Sequence, residues 1–333
     1  MKEYKQLEYV DQLKLFHARG IEFGYNLEDI SENDKKYQKD LLTISTLGYY
    51  QLKDYAYPYF SESGYNNLTF SKLVSRYYRD KRLRNAVEHA IEDIETTLNT
   101  KIAFLLGNRF GSFGYLDFNK WCQTTGYNKY INKKINKYVI AKEQNTFLRK
   151  IQGKARKSSS RDVKLFDKNR NDTVYLPIWL IMNELTLGDS IHIVKLMRES
   201  LRIKLAKKFG CTVKEFISWL ECINLVRNIC CHNGNLIDIE LVTRPKVPTD
   251  FKDLLVTIDA GNKKLYTNNL AIIICIIVKL MSSINPKYRF GNLVNSIGRL
   301  LDEANSSGNY GFKSRESILE CFSNSNIGKM SKI

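Results

Sequence analysis

Residues 227 to 232 read Arg-Asn-Ile-Cys-Cys-His, which puts a guanidinium, a carboxamide, two thiols and an imidazole into six positions. Three kinds of chemistry compete for such a stretch. A Cys-Cys-His zinc site needs its ligands on one side of the chain and a further ligand pair nearby. RNA cleavage needs an imidazole to exchange protons with a ribose 2′-hydroxyl or a leaving 5′-oxygen, and an arginine to hold the phosphate as charge builds on it. A purely structural role would pair Arg227 with Glu221 and leave His232 to cap a helix before Gly234.

Spacing narrows the choice. Wound as a helix over 213–233, the segment places Trp219, Cys222, Ile223, Val226, Ile229 and Cys230 on one apolar stripe. Arg227, Asn228 and His232 fall on the opposite side with Glu221, Asn224 and Cys231, within roughly 140° of one another. Cys230 and Cys231 therefore diverge, no second ligand pair follows, and the stretch calls for neither a metal nor a cofactor. One histidine is a thin apparatus for a reaction served by both an acid and a base. If the polar faces of two copies met across a two-fold axis, one groove would acquire two Arg227 and two His232, so a homodimer would solve that problem.

A second amphipathic helix runs through 81–102. Leu83, Val87, Ala90, Ile91, Ile94 and Leu98 make its apolar stripe, whereas Arg82, Asn85, Glu88, His89, Glu92, Glu95, Thr96 and Asn99 make its polar side. If it packs beside 213–233, Glu92 or Glu95 would orient Arg227; alternatively the polar side is simply solvated.

Between 129 and 170 stand fourteen Lys and Arg against three acids, with Lys-Ala-Arg-Lys-Ser-Ser-Ser-Arg-Asp at 154–162. That composition predicts a mobile basic segment: a solvated loop, or an RNA-binding one in which Lys150, Lys154, Arg156, Lys157 and Arg161 meet phosphates and Tyr127, Tyr130 and Tyr138 stack on bases. The whole chain points the same way, since 52 Lys and Arg against 35 Asp and Glu leave a formal charge of +17 and a field that attracts polyanions. The seven scattered cysteines, with no secretory signal before them, predict free thiols in the cytoplasm. The most apolar run, Leu270 to Val278, is too short for a membrane span and predicts a buried helix.

The elements that must position these residues are helical. Five prolines in 333 residues, long 3.6-residue periodicity and little alternation predict an all-α fold. Helices are expected at 6–19, 31–46, 70–106, 129–152, 176–187, 190–208, 213–233, 265–283 and 287–304, with a short hairpin somewhere in 241–266. The expected divisions are an N-terminal helical segment (1–65), a helical core with a basic insertion at 129–170 (66–285), and a C-terminal helix with a polar, peripheral tail (286–333).

Several stretches together carry a family resemblance. His-Ala-Arg-Gly-Ile-Glu-Phe at 17–23, Leu-Gly-Tyr-Tyr-Gln-Leu-Lys-Asp-Tyr at 47–55, the long helix from Tyr77 to Leu98 with its paired Glu92 and Glu95, Leu-Pro-Ile-Trp at 176–179 and the Arg-Asn-x-x-x-His signature at 227–232 occur in this order. So arranged, the chain resembles abortive-infection proteins of the AbiD/AbiF type, whose core is a HEPN (higher eukaryotes and prokaryotes nucleotide-binding) helical bundle. Asn233 and Asn-Leu-Ile-Asp at 235–238 depart from that pattern, which commonly continues with a second His and Arg-Leu-Trp-Asn. The resemblance implies a HEPN-type bundle with added N- and C-terminal helices and a metal-independent endoribonuclease toxin of phage defence. It further implies catalysis by Arg227, Asn228 and His232 in a dimeric site, and restraint by a bound small noncoding RNA. The alternative is a noncatalytic RNA-binding protein that uses the same basic groove.

Overall fold

The computed structural model describes all residues except 1–4, 30, 32, 170–173, 262, 302–305 and 324–333. Three short helices, α1 (Tyr9–Ala18), α2 (Lys35–Leu47) and α3 (Tyr49–Ala56), lead through a small hairpin of β1 (Phe60–Ser61) and β2 (Gly64–Tyr65) into the 41-residue helix α4 (Phe70–Phe110). The Thr69 side chain caps the start of α4 by accepting from the Lys72 N–H, and Gly111 ends it at φ +80°. Its stripe of Leu83, Val87, Ala90, Ile91, Ile94 and Leu98 is fully buried.

After α4 come the short α5 (Phe118–Trp121), a hairpin of β3 (Gly126–Asn128) and β4 (Lys133–Ile135), and then α6 (Lys137–Lys157) and α7 (Arg161–Asn169). Two expectations change here. The helix expected from 129 begins only at Lys137, because the hairpin occupies 126–135, turning through Asn132 at φ 53°, and Asn136 then caps α6 by accepting from the Tyr138 and Val139 N–H groups. The basic stretch at 154–162, expected as a loop, is instead the last turn of α6 and the start of α7, joined by three serines. Ser158 anchors that joint by donating to Glu184 at 2.8 Å. The end of the basic run, at 170, lies outside the described residues.

The chain continues through α8 (Ile178–Ile181), α9 (Leu187–Leu196), α10 (Glu199–Lys207) and α11 (Val213–Cys231). The single helix expected at 190–208 is broken at Met197–Arg198. Met197 turns extended and bridges Cys122, while the Arg198 N–H donates to the Trp121 carbonyl at 2.9 Å. Both α9 and α11 begin with a reciprocal capping box, Thr186 with Asp189 and Thr212 with Glu215, which sets their starts sharply.

Beyond α11 a largely irregular stretch leads to the hairpin of β5 (Thr257–Ala260) and β6 (Lys263–Tyr266), inside the expected range. Then come α12 (Leu270–Ile284), α13 (Gly291–Gly298) and α14 (Arg315–Ser323). The apolar run at 270–278 is buried at every position, so α12 is a central helix packed on α4 and α11. No described helix is long and apolar enough to cross a membrane. The described part of the tail is not peripheral: Tyr310, Phe312, Ile318, Cys321 and Phe322 are buried, and α14 packs on α12 and α13. Residues 302–304, and 324–333 at the end of that tail, lie outside the described residues, and the helix expected over 287–304 is shorter, running from Gly291 to Gly298 and capped at Arg299. The result is a predominantly all-α bundle, consistent with the expected fold class. Residues from all three expected divisions, among them Phe16, Ile94, Ile273 and Phe312, share one hydrophobic cluster.

Candidate active site

Two helices make the candidate site. α11 lies antiparallel on α4, since Arg227 reaches Glu95 while Cys231, four residues later, reaches back to Glu88. Trp219, Cys222, Ile223, Val226 and Cys230 are buried as the spacing requires, with Ile229 partly so. Arg227, Asn228 and His232 are left on the open side.

The Arg227 Nε stands 4.0 Å from a Glu95 carboxylate oxygen, with the side chains 37% and 20% exposed. That is an electrostatic contact, looser than a charge-assisted hydrogen bond. Glu95 also interacts with the backbone of Leu187 at the start of α9. Burial raises its pKa above the ordinary carboxylate value, and Arg227 and the Leu187 hydrogen bond pull the other way. Glu92, one turn away, is exposed and adds to the same negative face. The pairing of Arg227 with Glu221 is not formed, because Glu221 bonds Lys195 at 2.5 Å.

His232 occupies the C-cap of α11, where its N–H donates to the Asn228 carbonyl at 3.0 Å. Its ring and the Asn228 carboxamide are exposed, and neither bonds another described residue. Cys231 is more engaged than its position suggests: its thiol donates to Glu88 at 3.0 Å, and that bond, then burial, raises its pKa. A thiol so held is a poor metal ligand or nucleophile. Among the described residues no group of three or more His, Cys, Asp and Glu side chains could hold a metal ion.

The turn after His232 is fixed by residues that motif reading passes over. Asn233 takes a left-handed φ of 57°, which Asn tolerates better than most side chains. Gln51 of α3 donates to its carbonyl at 2.9 Å, and Arg84 of α4 donates to its side-chain oxygen at 3.0 Å. Arg84 is held by Asp80 at 2.7 Å, and Asp80, fully buried, also accepts from the Tyr55 hydroxyl at 2.6 Å and from the Leu236 and Ile237 N–H groups at 3.0 Å each. Burial, the largest single influence, lowers the Arg84 pKa, but Asp80, Tyr55 and Tyr77 around it together raise it above the ordinary value. Arg76 and Asp238 form a second ion pair one turn further on. The signal was present in the sequence: Asp80 and Arg84, four apart, sit within the stripe of Leu83 and Val87, where a charged pair must be satisfied internally.

The basic residues fall beside this site rather than in it. Lys150 pairs with Asp189, the first-turn acid of α9 two residues beyond Leu187, which links α6 to the region around Glu95. Lys150 and Arg156 line one shallow cleft with Arg149, and Arg156 also lines a second with Lys164. Lys154 is half-buried, whereas Lys157 and Arg161 are exposed at the α6–α7 joint. Of the expected stacking residues, Tyr127 and Tyr138 are exposed. Tyr130 is already covered by the Arg202 guanidinium, 4.8 Å from its ring centre.

An all-α bundle that keeps an arginine, an asparagine and a histidine on the open end of a pinned helix defines a class of protein with one concentrated polar surface. Residues 42–238 match the family model described as Abi-like protein, which covers more than half of the chain, so the chain belongs to the Abi-like family. The matched stretch runs from α2 through the whole network just described, to Asp238. Membership supports a role in abortive infection, a phage-defence response. No curated protein and no solved structure matches the chain.

Proposed function

We propose that this Abi-like protein is a HEPN-type endoribonuclease toxin that acts as a homodimer and needs no metal. The observation that carries the reading is the joint presentation of Arg227, Asn228 and His232 at the exposed end of α11, with Glu95 4.0 Å behind the guanidinium. In the proposed reaction the ribose 2′-oxygen attacks the adjacent phosphorus and loses its proton to a histidine. The bond to the 5′-oxygen breaks, and that oxygen takes a proton, leaving a 2′,3′-cyclic phosphate and a 5′-hydroxyl. One His232 is suited to one transfer at a time, so the His232 of a second copy supplies the other. Arg227 stabilises the charge growing on the phosphoryl oxygens, Glu95 holds Arg227 toward the groove, and Asn228 positions the RNA.

Cleavage of host RNA would halt the translation on which a phage depends, and such a toxin needs a restraint. A small noncoding RNA covering the groove suits the +17 charge and the basic residues along α6 and α7, Lys150, Lys154, Arg156, Lys157 and Arg161. The test is His232→Ala. Removing a proton-transfer group is expected to slow RNA cleavage by roughly 10²–10⁴-fold, with RNA affinity and thermal stability close to the parent's. Cleavage at the parental rate would exclude His232 as the proton-transfer group and leave the protein as a noncatalytic RNA binder.

A further inference from the structure

The polar side of α4 divides in two. Glu88, Glu92 and Glu95 face α11, whereas Arg82, Asn85 and His89 lie roughly a quarter-turn around the helix, facing α13 and the loop before it. There they form one wall of a cleft of about 370 Å³ whose other wall carries Arg289, Asn292 and Arg299. His89 Nδ1 and the Tyr288 hydroxyl, 2.9 Å apart, link the two walls. All three arginines are exposed, and none of their guanidiniums makes an ion pair or hydrogen bond with a described residue. No carboxylate is among the described lining residues, although Asp93 acts on Tyr288 from the next turn of α4.

Three exposed guanidiniums on two walls of one concavity make a positive surface that an anion seated there would neutralise. Planar, forked donors match the oxygens of a phosphate diester, and the neighbouring carboxamides offer further donors to phosphate or base. The cleft is also level with the candidate active site along α4, because Asn85 and His89 bracket Glu88, the partner of Cys231 beside His232. A strand of RNA that left His232 over the shoulder of α4 would meet this cleft on the adjoining side of the same helix.

We infer that the cleft between α4 and α13 is a phosphodiester-binding site that grips single-stranded RNA a short distance from the Arg227–His232 surface. This rests on the proposal that RNA is the partner, and not on cleavage. Arg82, Arg289 and Arg299 hold backbone phosphates; Asn85 and Asn292 bind at the rim.

The test measures binding of a short single-stranded RNA oligonucleotide to the full chain, in a His232→Ala background so that cleavage plays no part. Arg289→Ala with Arg299→Ala should weaken binding about 10-fold or more near 0.1 M salt. It should also flatten the slope of log affinity against log salt by about 0.7 for each phosphate no longer neutralised. Arg289→Lys with Arg299→Lys should restore most of that slope, since charge is kept while the fork is lost. The control removes the same charge elsewhere, with Lys35→Ala and Lys39→Ala on the exposed side of α2, and should change both quantities less. Parental affinity and slope in the double arginine variant would overturn the site, as would an equal loss in the lysine control. If the His232→Ala parent binds no RNA at all, the RNA reading and the cleft fail together; if it binds and only the cleft variant is silent, the cleft fails alone.

Discussion

The same pair of helices uses charge in two opposite ways. At the Asp80 end, the charges are paired and largely buried: one carboxylate takes donors from α3, α4 and the turn beyond α11, and Arg84 passes the connection on to Asn233, with its Nη2 buried but unpartnered among the described residues. Further along α4, Glu88, Glu92 and Glu95 face the end of α11 across an open surface with one 4.0 Å contact to Arg227 and one bond from the Cys231 thiol. A buried, paired network fixes a conformation, whereas loosely paired charges remain free to meet a substrate. The buried end therefore anchors the turn that follows His232, and the open end leaves the His232 ring exposed.

The largest effect tests the buried end. Asp80→Ala removes four bonds and leaves the Arg84 guanidinium buried without its partner, which should cost about 3–5 kcal/mol in chemical denaturation. A loss below about 1 kcal/mol would show that the network is dispensable and would erase the contrast. Asn233→Ala is a smaller break in the same chain. It gives up the Arg84 bond and places a residue less tolerant of positive φ in the turn, an expected cost of about 1–2 kcal/mol. If the turn sets the position of His232, this variant should also lose activity in the RNA cleavage assay beyond what its lower stability explains, and Asn233→Gly should recover stability more than activity.

Much of this architecture is legible in the residues. The stripe of Leu83 to Leu98, the buried run at 270–278 and the apolar face of Trp219 to Cys230 follow from periodicity, and the structure buries them as the spacing requires. What escapes such a reading is decided by distant contacts. Nothing local in 190–208 announces the break at Met197, which comes from its bridge to Cys122. The 154–162 stretch reads as a loop because of its charge, yet α6 carries its polar residues around a narrow apolar edge, with Ile140 and Ile151 the only buried positions among its described residues. Likewise, the polar side of α4 is continuous on a helical wheel, and only the placement of α11 and α13 divides it into an acidic face and a basic cleft. The roles of Asp80, Arg84 and Gln51 depend on partners up to 182 positions away, which spacing alone does not reveal.

The finest discrimination between the two ends is the pH response of Glu95. Its folded-state pKa is raised above the ordinary 4.5, chiefly by burial. The folded state therefore binds this proton more tightly than the unfolded chain does. The carboxyl's favourable contribution is fully present below its unfolded value and is lost as pH rises through the raised folded value. Glu95→Gln, which mimics the neutral form, should leave stability nearly unchanged at low pH and remove part of the decline across that window. Arg227→Ala should steepen the decline, because the guanidinium is the largest of the effects opposing burial, while costing less than about 1 kcal/mol near neutral pH as expected for a half-exposed pair. Denaturation midpoints of the three proteins taken from below to above the carboxylate range measure this. Parallel curves would mean that Glu95 senses Arg227 too weakly to orient it, and the acidic face of α4 would then bear on the groove only through its net charge.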